Sequence, residues 1–484
     1  MSKYLINLDG YLRESLSGSL KNFIGKVDFS LFCATQKDFK FLKNDFPNNQ
    51  IYCWEDFIKN NLNIDNIDER ILEIEKELKI SFMQINYSLY NYSQFYYTTS
   101  LNPERKNYCD IKRTILNYLF FSKILENEKP NIILHEHAGG VGSEILQRLS
   151  EIKNIKYLLF YTKFFNNRFL LQDIKNNNYE LFDKYYEKCN PNEKQLNAVN
   201  NIFQNLEENT SPLERTHIKN IKTKKYNRYF NLFKKIKDFY SSPLEENYIF
   251  FKYPPIEDLI FERFKSKIVE FYVENFISKS LLDIKKKNKN KKIITFFLQS
   301  EPELTIYKFG GKYFSDQKYI IKHLALNLPS NFILCVKEHV SQSLNSRYRN
   351  FQFFKDLKNL SNVRFIKSNE DPIKIIENSF AIANLSGSIG IEALIRNKPL
   401  ILFGNVFYQN FTNIFKINKF EDLKNIIQKI NNYNNYSSKK ECLKFIYALR
   451  KSMFKGNIWN GPTMTRNNEL FLNESLKKIF LIYK

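Results

Sequence analysis

Stretches of unbroken apolar residues alternate with stretches whose apolar positions recur every three or four residues, and the alternation is most regular between Lys291 and Tyr408. Ile293 to Leu298 is apolar and β-rich, as a strand buried on both faces requires. A helix is predicted from Ser315, because Ile321, Leu324, Ala325 and Leu328 repeat at helical spacing behind a Ser-Asp start, and Pro329 ends it. Strand Phe332 to Val336, helix Asn350 to Leu360, strand Val363 to Ile366 and a helix opened by Asp371-Pro372 follow. Strand Phe380 to Asn384, a short helix Ile389 to Arg396 and strand Leu400 to Phe403 complete the series. Strands separated by helices predict a parallel, doubly wound sheet.

Residues 4 to 165 alternate as well, with short strands at Tyr4 to Leu8, Asp28 to Ala34, Ile51 to Trp54, Ile132 to Leu134 and Tyr157 to Tyr161. Between the two regions, Ile174 to Ser280 reads as helical, polar and Tyr-rich. After Tyr408 the helical stretches are Phe420 to Ile430, Lys439 to Lys451 and 468 to 483. The expected fold is α/β: two Rossmann-like domains at 1–172 and 291–410, a helical insertion with a basic linker at 173–290, and C-terminal helices at 411–484 packing back across the domains.

Composition changes this picture in three ways. No apolar run approaches the roughly 20 residues of a membrane span, and the first residues lack a signal-peptide core, so a cytoplasmic protein is expected. Six scattered cysteines without metal spacing predict reduced thiols. A formal net charge of +23 favours anionic partners, yet no nucleic-acid recognition module accompanies it. The tract Lys285 to Lys292 reads as a solvated linker or as a contact with the cytoplasmic face of the inner membrane.

Ligands of doubly wound sheets bind beyond the carboxyl ends of the strands. Three turns of the second domain share that edge: Gln299 to Glu303, Lys337 to His339 and Ser386 to Ser388. Ser386, Gly387 and Ser388 offer hydroxyls and open backbone to a phosphate, Lys337 a cation and His339 a proton donor. Glu392 could accept from ribose hydroxyls, and Gln299, Glu301 and Glu303 could bind the base, ribose or sugar, or merely cap the next segment. The set suits a nucleotide-activated donor whose phosphate leaves. In the first domain the turn His135, Glu136, His137, Ala138, Gly139, Gly140 lies between a strand and a helix, so its glycines permit either ligand approach or a tight bend. Glu136 and Asp9 are rival candidates for a general base.

The ordered set Gln299-Ser300-Glu301-Pro302-Glu303, Ser315-Asp316-Gln317, Lys337-Glu338-His339, Asn362-Val363, Ser386-Gly387-Ser388 through Glu392-Ala393-Leu394, Lys398-Pro399 and Phe403-Gly404 resembles the capsule polysaccharide biosynthesis family. That resemblance implies a bacterial glycosyltransferase of the two-Rossmann GT-B type, some members of which transfer Kdo from CMP-Kdo. In related transferases a His-Pro motif and a serine motif contact the donor phosphate. His339 and Ser386 with Ser388 match those positions, although Val340 stands where the proline would be.

The implied function is sugar transfer from a nucleotide donor, with CMP the first expectation for the nucleotide by resemblance, to a growing capsular or other surface polysaccharide or a glycolipid acceptor. The donor is expected on the second domain and the acceptor on the first, near His135, His137, Gly139 and Gly140. No cofactor and no metal are expected, nor nucleic acid as a partner; capsule assembly machinery is. Two alternatives stay open, a nucleotide-sugar 2-epimerase and a non-catalytic assembly or export factor that binds glycan through Lys219 to Lys225 and Lys285 to Lys292.

Overall fold

The computed structural model describes residues 2–86, 103–136, 140–161, 165, 167–173, 175, 179–208, 256–301, 306, 309–310, 314–340, 342, 349–433, 438–458 and 466–483. Its strands are β1 (Lys3–Asn7), β2 (Asp28–Cys33), β3 (Ile51–Cys53), β4 (Ile132–His135), β5 (Lys156–Tyr161) and β6 (Arg168–Asp173), then β7 (Lys292–Phe297), β8 (Phe332–Lys337), β9 (Val363–Ile366), β10 (Ala381–Asn384), β11 (Leu400–Leu402), β12 (Ile414–Lys416) and β13 (Phe454–Lys455). The chain divides into two compact units. One holds Met1–Lys184 and Lys451–Lys484; the other holds, among the described residues, 185–208 and 256–450. The stretch read as an insertion is therefore shared out, and the C-terminal stretch divides at 450.

The first sheet has the order β13-β6-β5-β4-β1-β2-β3 and the second β12-β11-β10-β7-β8-β9. All pairings of the second sheet are parallel. The first is parallel from β5 to β3, while β6 pairs antiparallel to β5 and β13 antiparallel to β6. Strands β6, β12 and β13 were not foreseen. β12 and β13 are three and two residues long, too short to carry a period, and β6 pairs antiparallel to β5, with no helix between them among the described residues.

Unbroken apolar runs became central strands because both faces are covered. Every residue of β8 is buried, and Phe296, Leu334, Val336, Ala383, Ile401 and Phe403 share one core. Helix starts follow the expected chemistry. Asp316 accepts from the Tyr319 amide at 3.1 Å, Asn350 from Phe353 at 2.9 Å, and Asp371 from Ile373 at 2.9 Å with Pro372 at the first helical turn.

The C-terminal helix Arg466–Ile482 lies against the helix Gly10–Lys21 in the first unit. Tyr4 donates its hydroxyl to the Tyr483 carbonyl at 2.6 Å, Ser19 donates to the Glu469 carbonyl at 3.0 Å, and Phe480 meets Tyr4 and Phe23 edge-on. Leu472, Leu476, Ile479 and Phe480 are buried there. At about 1.5–3 kcal/mol for each fully buried large apolar side chain, this helix is a major stabiliser of the unit.

Candidate functional site

In both sheets the first strand of the unit sits centrally, the next two lie to one side of it and the fourth to the other. The winding reverses between β1 and β4 in the first unit and between β7 and β10 in the second, and the crevice beyond such a reversal is where doubly wound sheets bind ligands.

At the first reversal the chain leaves β1 through Asp9 and Gly10. Gly10 has φ +43°, a left-handed conformation that suits glycine. Asp9 occupies the cap position of the following helix but makes no capping bond with its side chain. Its carboxylate instead accepts the Ala34 amide at 2.5 Å and the Asn7 side-chain amide at 2.7 Å. Asn7, itself buried, also accepts the Glu136 amide at 3.4 Å, so one side chain ties Asp9 to the end of β4. Burial pushes the Asp9 carboxyl up to about 6; the Asn7 and Ala34 bonds oppose that rise and the nearby Asp38 adds to it. Burial pushes Glu136 further, to about 8, with Asp9 and Asp38 contributing. Asp38 is anchored by Arg13 Nε at 3.1 Å and accepts from the Thr35 hydroxyl at 2.7 Å. Two carboxyl groups of one crevice are thus displaced to either side of neutrality, Asp9 mostly ionised at pH 7 and Glu136 mostly protonated.

His135 does not open onto that crevice. It is buried, its ring packs on Phe32 and Tyr157, and its Nδ1 lies 2.5 Å from the Tyr157 hydroxyl. Gly140 caps the helix Val141–Ile152 at φ +83°. His137 and Gly139 fall outside the described residues, as does Glu303 of the second unit.

At the second reversal Ser386, leaving β10, donates its hydroxyl to Gln299 Oε1, leaving β7, at 3.1 Å. His339 follows β8, the other neighbour of β7, and is half-buried, its backbone amide bound to Glu338 Oε1 at 2.8 Å. Gln317 holds the turn after β7 through the Gln299 amide (2.7 Å), the Gln299 carbonyl (3.1 Å) and Glu301 Oε1 (2.6 Å). Gln342 brackets Glu301 through its amide and carbonyl at 2.7 and 2.9 Å. Arg349 closes the set: it binds Glu338 at 2.8 Å, the Gln299 carbonyl at 2.6 Å and the Glu301 carboxylate. Burial works against its charge, but Glu301 and Glu338 outweigh that and raise its pKa.

Gly387 has its carbonyl fixed by Tyr408 Oη at 2.5 Å and Asn384 Nδ2 at 2.9 Å, which orients the Ser386 to Ser388 turn. Ser388 is half-buried and makes no side-chain capping bond to the helix Ile389–Ile395. Lys337 is 2 % exposed, and its ammonium binds the Ser368 and Glu338 carbonyls at 2.5 and 3.2 Å. Glu392 is fully buried in its helix. The structure therefore brings Gln299, Glu301, His339, Ser386 and Ser388 to one edge, while Lys337 and Glu392 face inward to packed surroundings.

Sequence reasoning missed Arg349, Gln342 and Lys416, and quoted Gln317 within the family-like motifs without giving it a role. Lys416 ends β12 on the same edge, bound to the Gly404 carbonyl and to Asn405 Oδ1 at 3.0 Å, and burial lowers its pKa to about 8. An arginine in a lysine-rich chain was the one available signal, since a guanidinium suits buried, forked ion pairs. Among the described residues, no group of three or more His, Cys, Asp or Glu side chains is placed to hold a metal ion, and no helix is long and apolar enough to cross a membrane.

Residues 204–412 match the family described as capsule polysaccharide biosynthesis protein, so the resemblance read from residues 299–404 stands. No curated protein matches the chain. Among solved structures, the chain is similar to the beta Kdo 2,7 transferase of KpsC from Thermosulfurimonas dismutans, at 13% identity over 99% of this chain and 100% of that one, TM-score 0.32. The beta Kdo 2,4 transferase of the same protein gives 11% identity over 72% and 88%, TM-score 0.30. UDP-GlcNAc 2-epimerase from Methanocaldococcus jannaschii gives 11% identity over 93% and 99%, TM-score 0.24.

Proposed function

We propose that this protein is a glycosyltransferase that moves a sugar from a nucleotide-activated donor, CMP-linked in the first instance, to a growing capsular or other surface polysaccharide or its glycolipid precursor. One observation carries the reading: within the family-matching segment, Gln299, His339 and Ser386 stand at the carboxyl ends of three adjacent strands, at the reversal of the sheet. The acid-base pair at the reversal of the first sheet supports it.

In this reading the second unit holds the donor. The hydroxyls of Ser386 and Ser388 and the Gly387 backbone meet the phosphate, and His339 donates to the oxygen that departs with the nucleotide. The first unit activates the acceptor: ionised Asp9 takes the hydroxyl proton as that oxygen bonds to the anomeric carbon and the carbon–phosphate-oxygen bond breaks. Protonated Glu136 donates a hydrogen bond to a sugar oxygen. Charge on the leaving phosphate is met by these side chains, so turnover is proposed to need no added metal.

The test is a thermal-shift screen of the full chain against CMP, CDP, UDP, GDP and their sugar conjugates, followed by a transfer assay with capsular oligosaccharide in the presence of EDTA. Stabilisation by one nucleotide, weakened in His339→Ala, together with a lengthened glycan is the expected result. A new sugar nucleotide formed from donor alone would replace transfer with epimerisation. No nucleotide binding and no product would leave a glycan-binding assembly role.

A further inference from the structure

The helix Ile256–Tyr272 and the π-helical turn Val273–Ile277 that continues it present two contrasting faces. Ser266 and Val273 are buried, and Val269 packs beside Val273 and Ile277 on the core of the second unit. On the opposite side Phe264, Ile268 and Phe271 recur at i, i+4 and i+7, exposed by 66%, 54% and 65%. Phe276 is 60% exposed and stacks on Tyr272 with ring centroids 5.4 Å apart; Tyr272 meets the exposed Phe351 edge-on at 5.1 Å. The rings thus join into one apolar patch, and such a patch on a folded protein marks a contact surface.

Charge frames it. At 100° per residue Lys265 and Lys267, both exposed, fall on either side of the Phe264–Ile268–Phe271 stripe. The next helix, Leu281–Lys287, exposes Leu282 together with Lys285, Lys286 and Lys287, and Lys289 and Lys291 follow, also exposed. Among the described residues of this helix and turn, Glu270 pairs with Lys267 at 2.5 Å, and Glu274 accepts the Ser368 amide at 3.2 Å. Asp283 alone adds exposed negative charge in the second helix.

We infer that this aromatic, lysine-rimmed face docks on an anionic lipid surface. Apolar rings flanked by lysines match an interface in which acyl chains lie beneath negative headgroups. An isologous pairing of two copies would set the lysine rims against each other, which their charge opposes. The inference rests on the patch and does not require the transferase reading, although a membrane-borne acceptor would be served by it.

Sedimentation of the full chain with vesicles tests it, using phosphatidylcholine alone and phosphatidylcholine mixed with phosphatidylglycerol. The wild type is expected to co-sediment with the mixed vesicles, less as salt rises, and to stay in solution with phosphatidylcholine alone. Phe264→Ser/Phe271→Ser/Phe276→Ser and Lys285→Glu/Lys286→Glu/Lys287→Glu should each weaken binding by about tenfold or more. Both sets change exposed positions, and an unchanged thermal transition verifies folding. Failure of the wild type to bind mixed vesicles, or wild-type binding by both folded variants, overturns the proposal. So does a wild-type dimer that the aromatic variant dissociates without any vesicle binding, which would make the patch an interface between copies.

Discussion

The two ligand edges share a winding and differ in how they manage charge. At the β7/β10 reversal Arg349 is held between Glu301 and Glu338, Glu301 is bracketed by Gln317 and Gln342, and the lysines Lys337 and Lys416 are tied to neutral oxygens. At the β1/β4 reversal the charge of Asp38 adds to the rise at Asp9, both add to the rise at Glu136, and Arg13 answers Asp38. Asp9 is steadied by two neutral donors, and the Glu136 carboxyl has no hydrogen bond among the described residues. A neutralised network fixes geometry, as donor binding needs; an unneutralised pair stores proton affinity, as acid-base chemistry needs. The same topology thereby separates positioning from proton transfer.

The largest expected effect breaks the first half of this contrast. Asp9→Asn keeps the shape and removes the base, so transfer should fall by about 10²–10⁴-fold. Nucleotide-induced thermal stabilisation, which belongs to the other unit, should persist. Equal loss of both would mean that Asp9 holds structure and not a proton.

Arg349→Met tests the second half. Removing one partner of a buried ion pair leaves Glu301 and Glu338 uncompensated, at a cost of about 3–5 kcal/mol in a denaturation experiment. Nucleotide binding should be lost with it, because the turn after β7 loses its clamp at the Gln299 carbonyl. A variant as stable as the wild type would show that the network is not what fixes this edge.

These two predictions also mark what the sequence reveals and what it hides. Strands, helix starts and the polar turns at strand ends follow from local periodicity and capping, so Gln299, His339, Ser386, Asp9 and Glu136 could be proposed from spacing alone. Arg349 reaches Gln299 from 50 residues away and Gln317 from 18, distances over which no local pattern operates. Lys337 shows the converse limit. It stands at a strand end as a phosphate ligand should, but the fold turns its ammonium to backbone carbonyls. The apolar stripe Phe264, Ile268, Phe271 has the period of a core face, and only the fold tells that the other side of the helix is the buried one.

Glu136 sharpens the contrast through pH. Its folded pKa, about 8, lies above the ordinary 4.5, so the folded state holds the proton more tightly. The associated stability is present below about 4.5 and is lost as pH rises through about 8. Glu136→Gln, which keeps the neutral form at every pH, should therefore flatten the fall in thermal midpoint on the alkaline side, with a gain on the order of a few kcal/mol or less at high pH. Transfer by the wild type should rise through about pH 6 as Asp9 ionises and fall above about 8 as Glu136 loses its proton, and the variant should lose the alkaline limb alone. An unchanged alkaline limb would assign it elsewhere.

The smallest effect separates two serines of one turn. Ser386 donates to Gln299 inside the fold, so Ser386→Ala leaves a buried acceptor unpaired and should lower stability by about 1–3 kcal/mol. Ser388 is half-buried and does not cap the helix it precedes, so Ser388→Ala should leave the thermal midpoint where it was. If that hydroxyl meets the donor phosphate, calorimetric affinity for the nucleotide should still drop about two- to thirteenfold, the worth of one hydrogen bond of about 0.5–1.5 kcal/mol. A loss of affinity without a loss of stability is the signature of a group held ready for a ligand. Wild-type affinity in Ser388→Ala would confine the phosphate to Ser386, Gly387 and His339.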